Sequence, residues 1–182
     1  MTVDTEDILN FWFLEVGPDR WFAPDPALDE AVRTRFLDMH AKAARGEFKK
    51  WEETPEGVLT LLLLLDTFPR RMFRGTPQAY ATDDLALALA RAAIIRHFDD
   101  RIDRQFKLFF YLPFEHSELD GDQRLAVFFV RERTKEAVWL DTAEWRLRTI
   151  LRFGRFPHRN ALLGRESTPE EIEFLKTSAP AR

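Results

Sequence analysis

Residues 54–66 read TPEGVLTLLLLLD, and the class of the fold follows from them. Thr54 followed by Pro55 is a helix start: the threonine hydroxyl can accept from a free N–H of the first turn, and proline at the first helical position gives up an N–H that would be unpaired there. From Val58 to Leu65 every position except Thr60 is apolar, so the predicted helix has no polar face. Such a helix is stable only when other elements surround it. The run is far shorter than the roughly 20 residues that cross a bilayer, so the surroundings are expected to be protein. Asp66 and then Pro69 close the run, which places a carboxylate at or near the last turn of the most buried helix, where an unpaired charge is costly.

The rest of the chain supplies the surrounding helices. A short one is predicted over 5–14, capped by Thr5, with Ile8, Phe11 and Trp12 on one face. Asp25 and Pro26 repeat the cap-plus-proline start, and Leu28, Val32, Phe36, Met39 and Ala43 follow at helical spacing up to Gly46. Thr82 is read as the cap of a helix with Asp83 and Asp84 in its first turn, where the helix dipole favours acids. Leu85, Ala88, Leu89, Ala92 and Ile95 are its expected inner stripe. An aromatic helix over 105–111 is expected to break at Pro113, and two more are predicted over 122–135 and 142–152. Thr168, Pro169, Glu170 and Glu171 begin a last one that ends near Thr177. No stretch alternates apolar and polar residues as a strand would, and no hairpin dipeptide appears. The expectation is an all-α chain forming a single helical domain over 1–182, with lengths that suit antiparallel helix pairs stacked side by side.

Composition narrows the function classes. The 182 residues are 45% apolar and 32% charged with a net charge of -4, so no basic surface argues for nucleic acid. There is no cysteine, which removes disulfides, thiolate metal sites and cysteine nucleophiles. Acids near the start, where a signal peptide needs basic residues, together with the absence of a long apolar run, suggest a cytoplasmic protein with no membrane partner. The excess of rings, 17 Phe and 5 Trp, suits either a thick core, an open groove or a homodimer interface.

Three segments combine rings, proline and charge beyond what packing demands: LLLLLDTFPRRMFRGTPQAYATD, FFYLPFEHSELDGDQ and RFGRFPHRNALLGREST. Through them the chain resembles, over nearly its whole length, the bacterial family termed domain of unknown function 924. The resemblance implies an all-helical fold similar to tetratricopeptide repeats, with helix pairs in a right-handed arrangement, and implies no activity. The sequence departs from that family's usual pattern at Arg71, Lys107 and Arg146, where asparagine, arginine and histidine are common.

The chemistry-bearing residues fall in the same segments. Glu115, His116 and Glu118 lie beside a helix break, so their side chains can converge, and His116 among carboxylates suits a general acid or base. The alternative is a histidine that only ties helix ends together. A metal site drawn from Asp66, Glu115, His116, Glu118 and His158 lacks the Glu-x-x-His pairs that helical metal proteins use, so no metal is expected. Ser117 has no nucleophile elbow around it, and no glycine-rich phosphate loop is present, so no nucleotide cofactor is expected. Arg70, Arg71 and Arg74 follow the buried helix, and Arg155, His158, Arg159, Asn160 and Arg165 gather near the C-terminal end. In RFGRFPHRN, Gly154 reads as a left-handed helix stop with Arg152 on the negative end of the dipole, which leaves Arg155, His158 and Arg159 to be explained.

Two accounts of these cations stay open. They neutralise Asp66, Glu115 and Glu118 within the molecule, which the near match of acids and bases favours, or they hold an external anion. A cleft lined by Trp12, Trp21, Phe68 and Tyr111 with such arginines suits a small acidic or aromatic ligand, or a peptide carboxylate. The first functional reading is a ligand-binding or protein-interaction module, the latter requiring an exposed apolar face near Trp12, Trp21 or Trp51. The alternative is a hydrolase-like enzyme with His116 or His158 as base, Asp66 or Glu115 orienting it, and an arginine clamp on the substrate.

Overall fold

The computed structural model describes residues 4–177, so the first three and last five residues of the expected domain lie outside it. Among the described residues the regular structure is helical throughout: α1 (Thr5–Asn10), α2 (Pro26–Ala44), α3 (Pro55–Leu62), α4 (Phe68–Met72), α5 (Asp83–Ile95), α6 (Leu108–His116), α7 (Asp120–Phe129), α8 (Ala137–Phe153) and α9 (Pro169–Thr177). Three wider π-helical turns, Phe11–Val16, Leu63–Thr67 and Val130–Thr134, continue α1, α3 and α7.

α3 is buried from Gly57 through Leu62, and its contacts with α1, α5 and α6 make it the central element. Thr54 accepts from Gly57 N at 3.1 Å as the expected cap. Glycine is required at 57 for a second reason: a Cβ there would lie 2.2 Å from the carbonyl oxygen of Trp51.

The end of this helix differs from the sequence reading. Pro69 does not stop it. The chain passes through the π turn Leu63–Thr67 and on into α4, and Pro69 sits in the first turn of α4, where its missing N–H costs little. A π turn leaves backbone groups displaced from the regular ladder. Here His40 Nδ1 donates to Leu64 O at 2.9 Å and the Thr82 hydroxyl to Leu65 O at 2.5 Å. Thr82 therefore serves α3 and makes no side-chain cap bond to α5.

Other expectations shift for local reasons. Asp4, not Thr5, caps α1, because Asp4 and Asp7 satisfy each other's backbone N–H in a capping box. Pro113 lies inside α6 instead of breaking the aromatic helix; every residue from Leu108 to Glu115 is buried, and that packing outweighs the roughly 3 kcal/mol that an interior proline costs. α8 begins at Ala137, five residues before the predicted start, and ends as expected with Gly154 at φ 68°. Thr168 and Glu171 cap α9 reciprocally at 3.2 and 2.7 Å.

The inner face of α5 is also rotated from the prediction. Ala86, Ala90 and Ala93 are buried, whereas Leu85 is 47% and Ile95 78% exposed. Small side chains let α5 approach α3 and α6 closely, and the larger residues on the neighbouring face are left outside. Helices adjacent in sequence pack on one another along α5, α6, α7 and α8, while α2 packs on α4. Most of the aromatic excess fills the core: Phe11, Phe36, Phe68 and Trp12 form a chain of rings 5.0 to 5.2 Å apart.

Overpacking should reveal which α5 face is inside. Ala90→Leu is expected to destabilise the protein by about 1–3 kcal/mol in urea unfolding, and Ile95→Ala by less than about 0.5 kcal/mol. The opposite order would restore the predicted stripe.

Candidate functional site

The π turn and α4 set Asp66 and Arg70 one helical step apart, and the buried end of α6 brings His116 to them. Asp66 Oδ1 lies 2.8 Å from His116 Nδ1 and 3.3 Å from Arg70 Nη1. An oxygen facing a guanidinium acts as an acceptor, so the imidazole is the donor and Nδ1 carries the proton. Asp66 Oδ2 is buried with no hydrogen-bond partner. Burial raises the Asp66 pKa above the ordinary aspartate value, while Arg70, Arg146 and Arg159 oppose that rise. Burial, then the same three arginines, hold His116 well below the ordinary histidine value, so its ring is neutral.

His116 opens onto a cleft of about 220 Å³ whose wall includes Trp21, Phe22, Arg70, Arg71, Arg74, Tyr80, Arg146, Phe156, His158 and Arg159. Four of the five arginines hold a carboxylate at 2.9 Å or less. Arg70 grips Asp83 through two bonds of 2.9 Å and also donates to Asp66 O. Arg71 bonds Asp29 at 2.9 Å and the carbonyls of Arg20, Trp21 and Ala23. Arg74 holds the same Asp29 through two bonds, and Arg146 pairs with Glu115.

Arg159 differs. It comes from the turn Pro157–Arg159, is 7% exposed, and reaches Asp83 only at 3.5 Å. Its Nε is buried and unpartnered. The guanidinium lies over the rings of Tyr80 and Phe156, 4.6 and 4.7 Å from their centres, which fixes it without satisfying Nε. Burial and the neighbouring Arg70 lower its pKa to about 10, so it remains charged at neutral pH. His158 lies tilted against Phe156, ring centres 5.5 Å apart, and makes no hydrogen bond among the described residues; burial, then Arg159 and Arg146, lower its pKa to about 4.

The sequence reading is sorted by this geometry. Asp66, Arg70, His116, His158, Arg159 and Trp21 come together at the cleft. Glu115 lies behind it in the pair with Arg146, its pKa raised by burial against the pull of that arginine. Arg155 meets neither Asp66 nor Glu115: it bonds Glu171 at 2.7 and 2.8 Å and the carbonyl of Glu166. Asn160 is buried beside it, bonded to Ser167, Glu171 and Arg165. Tyr111 is in the core with its hydroxyl on Asp99 at 2.7 Å, and Trp12 and Phe68 are core residues too. Glu118 is taken by Arg165 through bonds of 2.6 and 3.0 Å. Ser117 serves Asp122 at 2.8 Å.

Asp83, Phe22 and Tyr80 are site residues that sequence reasoning missed. Asp83 reads as a helix-dipole acid, and only its distance from Arg70 shows the second role. Two of the departures noted above take part: Arg71 anchors the loop of Trp21, and Arg146 neutralises Glu115. Lys107 stands 3.6 Å from Asp100, away from the cleft.

Fold and site together define an all-α protein with a buried carboxylate–imidazole pair in the wall of a basic, aromatic cleft. The chain belongs to the family of bacterial proteins of unknown function DUF924, whose profile matches residues 8–179. It is similar to the solved structure of the protein of unknown function ATU0120 from Agrobacterium tumefaciens, with 44% identity, a TM-score of 0.91, and coverage of 96% of this chain and 97% of that one. No curated protein matches it.

The C-terminal network makes a separate prediction. Bonds from Arg155, then the Thr168 backbone and Asn160, lower Glu171 from 4.5 to about 2. A depressed carboxylate stabilises the fold fully above its unfolded pKa and loses that contribution as pH falls toward the folded value. Between about pH 5 and 2 the wild type should therefore lose more stability than Glu171→Gln, and the two melting temperatures should converge. A difference that does not change with pH would remove Arg155 and Glu171 as a charged pair.

Proposed function

We propose that the cleft binds a small molecule carrying an oxyanion and an apolar or aromatic part, and that Arg159 receives the oxyanion. The observation that carries this is the state of Arg159: a guanidinium more than nine-tenths buried, set over two rings, with an unpartnered Nε and its one carboxylate contact, Asp83, at 3.5 Å. Leaving a charged donor buried and unsatisfied is costly, and a structural role does not account for it because Asp83 is already held by Arg70. The walls of Trp21, Phe22, Tyr80 and Phe156 exclude water and strengthen such a contact. In this reading the chain is a single cytoplasmic domain of tetratricopeptide-like helix pairs. The protein-interaction reading has less support, since Trp12 and Trp21 are buried and Trp51 is stacked on Phe48.

One observation favours an enzyme acting on the bound anion. The 2.8 Å contact of Asp66 with His116 orients the ring as a general base needs to be oriented, with its second nitrogen free for a water or substrate hydroxyl. Turnover of small anionic esters that is lost in His116→Asn would support that reading.

Thermal unfolding with benzoate, phenyl phosphate and inorganic phosphate tests the binding site. A ligand at a hundred times its dissociation constant adds about 2.7 kcal/mol of stability, so the melting temperature of the wild type should rise. Arg159→Met should abolish the rise while its own stability stays near or above that of the wild type. By contrast, Arg70→Ala should cost about 3–5 kcal/mol because it strands Asp83 and Asp66. A large loss of stability in Arg159→Met, with no anion effect in the wild type, would make Arg159 structural.

A further inference from the structure

The charge and proton inventory of the cleft says more about the ligand, and this step rests on the oxyanion-binding reading above. Three side chains of the wall each offer a nitrogen with no hydrogen-bond partner among the described residues: Arg159 through Nε, His116 through Nε2 and His158 through either ring nitrogen. A carboxylate presents two oxygens, whereas a phosphoryl group presents three, so the set of free positions matches the phosphoryl group better.

The three nitrogens are not equal as donors. Arg159 always donates. His158 has no hydrogen bond that fixes its tautomer, so either nitrogen can carry its proton while the ring stays neutral. His116 is constrained, because Nδ1–H is committed to Asp66 Oδ1 at 2.8 Å. The two imidazole nitrogens point in roughly opposite directions and a neutral ring carries one proton. Nε2 therefore presents a lone pair, which repels an oxyanion. It becomes a donor only by gaining a proton.

We propose that the cleft takes a phosphate monoester in its doubly charged form together with one proton, and that the proton lodges on Nε2 of His116. The groups around that ring fit the change. Asp66, with one oxygen on Nδ1 and the other unpartnered, lies against the imidazolium that would form. Asp83 on α5 also favours it, while Arg70, Arg146 and Arg159 oppose it in the empty cleft. A bound phosphoryl group offsets the field of those arginines. One of the two negative charges then falls to Arg159, whose only carboxylate contact is the 3.5 Å one to Asp83, and the other to His116. No bond of the ligand is made or broken; as the anion enters, the Nε2 lone pair takes a proton from the solvent or buffer acid, whose O–H or N–H bond is the one lost.

Isothermal titration of the wild-type protein with phenyl phosphate tests this, at about pH 8 in two buffers of different ionisation enthalpy. A phosphate monoester is a dianion there, its second pKa being about 6. The expected result is uptake of close to one proton per ligand, and an affinity that falls toward tenfold per pH unit on the alkaline side. Phenyl sulfate, a single-charged analogue of the same shape, should bind more weakly and without uptake. His116→Asn should still bind phenyl phosphate, more weakly and with no proton taken up, whereas His158→Asn should keep the uptake. Phenyl phosphate binding without proton uptake in the wild type, or uptake that survives in His116→Asn, would overturn the inference and leave the anion site standing. If none of the three anions of the thermal test binds, the anion site falls as well, and the two failures are distinguishable.

Discussion

The cleft depends on one constraint: the Asp66 carboxylate is placed inside the protein by the most apolar helix of the chain. A carboxylate there needs partners, and each partner comes from a different element. Arg70 answers from α4, one step along the same continuous helical run. His116 answers from the end of α6. Arg70 is in turn shared with Asp83, which fixes the start of α5. Satisfying one buried charge thus ties together three helices at their ends, where backbone groups are free and side chains can face one another. The π turn that carries Asp66 belongs to the same arrangement, since its displaced carbonyls are taken up by His40 and Thr82.

Around this knot the arginines divide into two kinds. Arg71, Arg74, Arg155 and Arg165 each make multiple bonds to a carboxylate or to carbonyls and fasten loops to helices. Arg159 is held by two rings and one long 3.5 Å contact to Asp83, and its Nε is left without a partner. Exposure by itself does not separate these groups, because Arg71 and Arg159 are about equally buried. The difference lies in hydrogen-bond satisfaction, and a charge left unsatisfied where water is scarce marks the place where a ligand contributes what the fold does not.

Much of the fold was legible in the chain because its main signals are local. The caps at Asp25, Thr54 and Thr168 and the stop at Gly154 each depend on neighbours within a turn, and they lie where the residues indicate. What was not legible depends on packing. Pro69 and Pro113 read as breaks, yet the first falls at a helix start and the second inside a helix that burial maintains. In α5, hydrophobicity alone selects Leu85 and Ile95 for the interior, whereas close approach selects the alanines. The site shows the same division. Asp66, His116 and Arg159 were visible as charged residues in apolar surroundings, but whether Arg155 or Arg159 faced the cleft turns on two residue positions in an irregular turn. Nothing in the sequence pairs Arg155 with Glu171 or gives Asp83 to Arg70.

The central claim is that Asp66 accepts from a neutral His116 whose other nitrogen is left bare toward the cleft. Nitrogen-15 shifts of the His116 imidazole at neutral pH, in the protein without ligand, measure this directly. The expected result is a protonated Nδ1 and an unprotonated Nε2. A protonated Nε2 with a bare Nδ1, or a ring charged at both nitrogens, would contradict it.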